Sequence, residues 1–300
     1  MAEEVVVSSN GDNSDGEVFI FYSPNDKLRL NGRHWPPLRN GECRAVVLIV
    51  HGSGEHCQRY KHMAHFFNTR QIAFVGFDLR GHGQSDGERG YTPSLDALYD
   101  DIECVIDRIH TELYPDLPLV IYAHGTGSLI CLSHIVLRST KRFLCQGMII
   151  STPSLLLKKR PTSLLFFFSR AFANLDPHFR LPVFGNSTNV YCNDNEIVQA
   201  YRNDPLVHDR WPASTLSIFM ELALILEKNT VSPPYSLLIQ HGEADIITPI
   251  DGIQKWVKKR VRGDVMFKVW LGHFHELHND LGREEILSYV IAWMEEKLNI

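Results

Sequence analysis

The length and composition of the chain are those of an ordinary globular protein. It has 300 residues, of which 44% are hydrophobic and 22% are charged, and these proportions exclude a disordered, collagen-like or coiled-coil chain. The 30 Lys and Arg residues against 35 Asp and Glu residues give a net charge of −5, so there is no basic excess to attract a nucleic acid. We expect one large folded domain with no nucleic-acid partner.

The first residues, the apolar runs and the cysteines indicate the location of the protein in the cell. Residues 1–16 are rich in Ser, Asn, Asp and Gly, which predicts a disordered tail before a folded domain at 17–300. The apolar runs at 45–50 and 164–168 are far shorter than the roughly 20 residues that span a bilayer. The six cysteines form no C-x-x-C pair, which argues against a zinc site. We expect no secretory signal, no transmembrane segment and no cofactor, and a cytoplasmic location that allows peripheral contact with membranes.

The predicted elements, taken in chain order, indicate an α/β fold. Residues 18–22 and 28–35 flank a Pro-Asn-Asp turn, which predicts a strand pair. Six further short runs rich in Val, Ile and Phe are typical of parallel strands covered on both faces: 45–50, 72–77, 119–122, 148–150, 235–239 and 265–270. Helical periodicity predicts amphipathic helices at 95–109 and 286–298, the first with Asp100, Asp101 and Asp107 on its polar side. The fold class is therefore a mostly parallel central sheet with helices on both faces.

The sheet pattern stops at about residue 153 and resumes after about 232. An insertion over one end of the sheet explains the break better than a second domain, because the same pattern resumes afterwards. Within it, residues 155–175 combine Leu and Phe with Lys158, Lys159, Arg160 and Arg170. This composition favours an amphipathic lid that contacts lipid, and a helix simply buried in the insertion is the alternative.

Loops after the strands hold the candidate functional residues, because ligands of open α/β sheets bind beyond the carboxyl ends of the strands. Residues 51–56 are His-Gly-Ser-Gly-Glu-His. The small residues among them let backbone N–H groups approach an anion or oxyanion closely, and a plain tight turn is the alternative. The polar loop at 78–87 is predicted to be structural. Residues 123–128, Ala-His-Gly-Thr-Gly-Ser, join a strand to an apolar helix. This is either a generic βα turn or a nucleophile elbow of the G-x-S-x-G type with Gly125 at the serine position.

Two later strands end in a carboxylate and in a histidine-rich loop. Asp245 follows the run at 235–239, and His273, His275 and His278 follow the run at 265–270. The order elbow, Asp, His is that of a hydrolase triad, in which the carboxylate orients the histidine. The three histidines also suggest a metal site, but no Cys or further carboxylate cluster at ligand spacing completes one.

The motifs in this order resemble the monoacylglycerol lipase-like group of the α/β-hydrolases, which is grouped with the S33 serine aminopeptidases. The likeness covers the chain from about residue 18 to the end and rests on 51–56 with Arg59-Tyr60, 81–87, 204–206, 242–245 and 272–275. The resemblance implies Asp245 and His275 as triad members and the backbone N–H groups of Ser53 and Thr126 as an oxyanion hole. It also implies a cap, at about 153–232, over a pocket for a monoacylglycerol or related lipid.

Gly125 departs from the family pattern, which has a serine at this position. A glycine supplies no hydroxyl to attack an ester carbonyl, so one hypothesis is a catalytically impaired homologue that binds a lipid or a partner. The other is an active hydrolase of monoacylglycerols or lysolipids, in which Ser128 or a water activated by His275 attacks. Cys131 is a weaker candidate nucleophile.

Overall fold

A computed structural model describes residues 15–37, 42–138, 140, 143–155, 175–182 and 191–300. The predicted tail therefore lies outside the described residues except for Asp15 and Gly16, and the predicted lid lies outside them except for Leu155 and Leu175. Asp15 contacts the folded body, because Arg33 Nη1 donates to its carbonyl oxygen at 2.8 Å.

An eight-stranded sheet forms the centre of the molecule, in the order β1-β2-β4-β3-β5-β6-β9-β10. Strands β1 and β2 are antiparallel to each other, β2 is antiparallel to β4, and the remaining neighbours are parallel. The strands are β1 Glu17–Tyr22, β2 Arg29–Trp35, β3 Ala45–Val50, β4 Ile72–Phe77, β5 Leu119–His124, β6 Gly147–Ser151, β9 Ser236–Gly242 and β10 Val265–Trp270. This confirms the predicted strand pair and the mostly parallel sheet.

Helices cover both faces of the sheet. They are α1 Lys61–Asn68, α2 Leu95–Arg108, α3 Gly125–Leu137, α4 Asn195–Asn203, α5 Ala213–Lys228, α6 Ile250–Arg260 and α7 Arg283–Leu298. Alternate residues of β3 enter the two hydrophobic clusters, with Val46 and Leu48 on the side of α2, α3 and α5 and Val47 and Ile49 on the side of α1 and α7. Successive strand residues point to opposite faces, so a continuously apolar strand is what a two-sided sheet requires.

Two elements depart from the sequence-based expectation at their ends. Strand β5 continues through His124, and β9 continues through Gly242. Apart from Ala123, the extensions consist of polar or glycine residues, which an apolar pattern does not predict as strand. The strands therefore carry their last residues directly into the loops that hold Gly125 and Asp245.

The polar side of α2 differs from the prediction at one residue. Asp101 was expected beside Asp100 and Asp107 in solvent, but it is fully buried. Its carboxylate accepts two hydrogen bonds from Arg80, from Nε at 2.7 Å and from Nη2 at 3.0 Å. The prediction was wrong because the partner lies in the loop after β4, which folds over this part of α2 and buries both charges.

The described part of the predicted insertion contains α4, α5 and a small antiparallel pair, β7 Arg180–Pro182 with β8 Arg210–Pro212. Helix α5 contributes Leu222 and Leu226 to the main core cluster together with residues of α3. The backbone N–H of His208 donates to Gly54 O at 2.9 Å. The insertion is thus tied directly to the loop that follows β3.

None of the helices in the described ranges combines the length and the apolar character needed to cross a bilayer.

Close packing at the start of α3 leads to a test of the fold. A Cβ built on Gly127 would lie 2.4 Å from Val50 O, and a backbone atom cannot move aside without shifting β3. We expect Gly127→Ala to lower the free energy of unfolding by about 2–3 kcal/mol, as overpacking does. Gly147→Ala is the matched control, because its Cβ would meet side chains and no backbone, the Trp293 ring at 3.2 Å and Val120 Cγ2 at 3.6 Å. Chemical denaturation of both variants checks this, and an equal loss in the two would contradict it.

Candidate active site

The turn between β5 and α3 has the backbone conformation of a nucleophile elbow. Gly125 has a φ of +55°, in the left-handed region that residues with a side chain rarely adopt. A Cβ built on Gly125 would lie 3.6 Å from His275 Nε2, 3.6 Å from Ser154 Oγ and 3.8 Å from Gly52 Cα. These are ordinary contact distances, so the site has room for the side chain that Gly125 lacks.

Asp245 and His275 form the hydrogen bond that the sequence predicted. The loops after β9 and β10 place Asp245 Oδ2 2.7 Å from His275 Nδ1. The other oxygen, Oδ1, accepts the backbone N–H groups of Ile247 at 2.8 Å and Thr248 at 3.0 Å. The carboxylate is therefore held from both sides, which fixes the ring of His275 with Nε2 toward Gly125.

The electrostatics of this pair favour a charged histidine. Burial alone would lower the pKa of His275, but the negative charge and hydrogen bond of Asp245 raise it above its ordinary value. Burial would likewise raise the pKa of Asp245, and the charge of His275 outweighs it and lowers that pKa. Asp245 thus stays ionised and stabilises the protonated imidazole beside Gly125.

The loop after β3 faces the elbow and is anchored by Glu55. Glu55 Oε1 accepts the N–H of Gly52 at 2.6 Å and the Tyr60 hydroxyl at 2.8 Å. One cavity is lined by Ser53, Thr126, Gly125 and His275 together. The structure therefore brings the two residues predicted to form an oxyanion hole to the same cavity as Gly125 and His275, and Asp245 lies behind His275 and outside the cavity lining.

Arg59 joins this loop to the last strand loop. Its guanidinium bonds Glu55 Oε2 at 2.5 Å and Glu276 Oε2 at 2.7 Å, and all three side chains are almost fully buried. Burial alone would raise the pKa of Glu55, but the charge of Arg59 leads the effects that lower it to about 2. Glu55 therefore remains ionised, and both carboxylates pair with the same guanidinium.

The candidate substitute nucleophiles are less favourably placed. Ser128 is fully buried, and its hydroxyl donates to Ala123 O at 2.8 Å. Cys131 is also fully buried, and this burial raises its thiol pKa. The thiol therefore stays protonated, and a protonated thiol is a weak nucleophile. Neither residue is among those that line the cavity.

The histidines of the last loop make separate contacts. His273 Nδ1 lies 3.2 Å from Asp280 Oδ2, whereas the ring of His278 stacks on Tyr60 with centroids 4.4 Å apart. Across the described ranges, no three His, Cys, Asp or Glu side chains are grouped so that they could hold a metal ion.

Five residues of the cavity lining were not singled out from the sequence: Ser154, Tyr191, Tyr201, Ile247 and Glu276. Ser154 follows β6, and its N–H donates to Gly125 O at 3.2 Å. The guanidinium of Arg59 lies over the Tyr201 ring, with Cζ 4.6 Å from the ring centroid. No motif marked these positions, although Ser154 follows a predicted strand and could have been found by the rule that pointed to the other strand ends.

A histidine with a lowered pKa on α1, His62, predicts that the stability of the fold decreases in acid. Burial lowers the pKa of His62 from 6.5 to about 4, and its ring nitrogen bonds His278 O at 2.7 Å. In the unfolded chain His62 becomes protonated near pH 6.5, whereas in the folded chain it does so only near pH 4. The folded state therefore has its full stability above pH 6.5 and loses part of it as the pH falls toward 4. For His62→Gln we expect the loss of unfolding free energy between these pH values to be smaller by about 3 kcal/mol. Urea titrations at several pH values check this, and parallel pH profiles for the two proteins would contradict it.

The sheet order, the left-handed elbow and the Asp–His pair at strand ends define an α/β-hydrolase. Residues 41–282 match the family described as serine aminopeptidase, S33, and the chain belongs to this family. Within it, the chain is a monoacylglycerol lipase-like α/β-hydrolase.

Individual relatives agree with this assignment. The chain is 27% identical to a monoacylglycerol lipase of Mycolicibacterium smegmatis, over 88% of this chain and 92% of that protein. It is 28% identical to an abhydrolase domain-containing protein of Dictyostelium discoideum, over 91% of this chain but only 28% of that protein's length. The crystal structure of a Paleococcus ferrophilus monoacylglycerol lipase superimposes with a TM-score of 0.74 at 26% identity, covering 89% of this chain and 99% of that one.

Proposed function

We propose that this chain binds an acyl lipid in the cavity at Gly125 and hydrolyses it slowly or not at all. The observation that carries the proposal is the geometry of the elbow. Gly125 has a left-handed backbone, with His275 Nε2 3.6 Å from where a side chain would begin. This supports a site with a candidate base and its carboxylate but without a nucleophile. In a serine hydrolase, loss of the serine costs about 10⁶ in turnover.

In this proposal each retained group has a binding role. Asp245 orients His275, and the N–H groups of Ser53 and Thr126 bind the oxygen of an acyl carbonyl. The first N–H groups of a helix have no intrahelical partner, which suits Thr126 in the first turn of α3. The acyl lipid is suggested by the monoacylglycerol lipases among the relatives. The insertion at about 153–232 acts as the cap.

The alternative is an active ester hydrolase, and one observation favours its water-dependent form. The hydrogen bond to Asp245 leaves His275 Nε2 toward the space beside Gly125, where it could deprotonate a water. The Ser128 form is disfavoured, because that hydroxyl already donates to Ala123 O inside the fold.

Two measurements on the purified protein test the proposal. A fluorophosphonate probe reacts with an activated serine, so we expect no labelling. A monoacylglycerol ether, which cannot be hydrolysed, should bind with a measurable affinity in calorimetry. Labelling, or ester turnover at a rate typical of serine hydrolases, would overturn the proposal. Absence of ether binding would also overturn it.

A further inference from the structure

The space beside Gly125 has polar groups on two sides. His275 Nε2 and Ser154 Oγ each lie 3.6 Å from the point where a Cβ would stand. An oxygen atom near that point comes close to hydrogen-bonding distance of both groups at once. In a chain with serine at the elbow, the serine side chain fills this space, so only the glycine leaves it to a ligand.

The polar groups around the space are mainly donors. The two carboxylates that line the cavity already have partners, since Glu55 accepts from Gly52 and Tyr60, and Glu276 accepts from Arg59 and Asn279. Arg59 lies between them and offsets one of their two negative charges. The other polar residues that line the cavity beside Gly125 include Thr126 in the first turn of α3, Ser154 and His275.

The geometry points to a free carboxylate as the preferred ligand of this cavity, with one oxygen held by the N–H groups of Ser53 and Thr126 and the other between His275 Nε2 and Ser154 Oγ. This inference rests on the proposed function and names its ligand: the carboxylic acid of an acyl lipid, and not its ester. An ester places an uncharged, weakly accepting alkoxy oxygen where the carboxylate has a charged one.

Two further features support an anion here. The N-terminus of α3, a helix of 13 residues, carries partial positive charge. His275 is almost completely buried, and although burial alone would lower its pKa, Asp245 raises it, which increases the protonated share of the ring. Hydrogen bonds between charged partners are stronger than those between neutral partners. The free energy of binding should therefore be more favourable for the acid than for its ester.

Calorimetric titration with dodecanoic acid, methyl dodecanoate and dodecanol tests the inference. The three probes share one chain and differ in the head group. We expect the acid to bind at least about tenfold more tightly than the ester, since a hydrogen bond to a charged group is stronger than one to a neutral group. Equal affinities for acid and ester would overturn the carboxylate inference and leave the proposed function standing. No binding of any of the three probes, or of the monoacylglycerol ether, would overturn the proposed function itself.

Two variants separate the head-group site from the rest of the cavity. Ser154→Ala removes one donor, and Gly125→Ala puts a methyl group where the second oxygen would sit. Ser154→Ala should weaken binding of the acid about tenfold or more and change binding of the ester little. Gly125→Ala should weaken binding of both probes, because both place an oxygen where the methyl group would stand. Ser133→Ala is the matched control, because its buried hydroxyl contacts Tyr99 and Ile130 on α2 and α3, away from the cavity lining. Melting temperatures establish that the variants fold. Unchanged acid affinity in both folded variants would overturn the inference.

Discussion

Gly125→Ser should turn this chain into an ester hydrolase. The new side chain would begin 3.6 Å from His275 Nε2, where Asp245 already orients the ring. Turnover of a monoacylglycerol should then rise at least about 10³-fold, because the reverse change in a serine hydrolase costs about 10⁶. The left-handed φ of +55° at Gly125 carries some strain for a serine, and the same strain directs the hydroxyl of an elbow toward the substrate.

Two controls make this result specific. Gly125→Ala fills the same space without a hydroxyl and should stay inactive. Gly125→Ser combined with His275→Gln keeps the hydroxyl and removes the base, so it should lose most of the gain. Activity of the single variant should fall as the pH drops through the raised pKa of His275, because protonation removes the base. A correctly folded Gly125→Ser protein with no added turnover would contradict the assignment of these residues.

Asp101→Ala should be the most destabilising of the single substitutions considered. It leaves the Arg80 guanidinium buried with only Asp26 at 2.8 Å and Ser23 at 2.9 Å. Removing one member of a buried ion pair costs about 3–5 kcal/mol, because the other charge stays in a site of low polarity. Chemical denaturation measures the change in unfolding free energy.

The same helix provides the control for this substitution. Asp107 is exposed on α2, and Asp107→Ala should change the free energy of unfolding by less than about 0.5 kcal/mol. Replacing both Arg80 and Asp101 with Leu removes both buried charges, and this double variant should be more stable than Asp101→Ala. Similar losses in Asp101→Ala and Asp107→Ala would contradict a buried ion pair at this position.

The sequence predicted the elements that depend on apolar pattern. Strand β3 is buried at all six positions, and an uninterrupted run of Ala, Val, Leu and Ile leaves little choice but a covered strand. The hydrogen bond between Asp245 and His275 was also predicted, because the order of the strand ends and the family motifs both indicated it. These features are local or are encoded in motif order.

Contacts between distant polar residues could not be predicted in the same way. Asp101 reads as one of several acidic residues on an exposed helix face, and only the folded loop after β4 shows its partner, Arg80. Ser154 belongs to no motif, and its place beside Gly125 depends on the turn that follows β6. In both cases, the side chain's role depends on which loop packs against it, and periodicity carries no information about that.

The bond between Arg59 and Glu276 has a consequence for the order in which the protein assembles during synthesis. The two residues are 217 positions apart. Arg59 therefore leaves the ribosome long before Glu276, the second carboxylate that it pairs with, has been made. Glu55 can anchor the β3 loop through Gly52, Tyr60 and Arg59 early, whereas the second ion pair of Arg59 forms only after the β10 loop has been made with Glu276. A nascent chain can therefore form much of its sheet before the cavity is complete, because His275 and Glu276 in the β10 loop belong to the cavity lining.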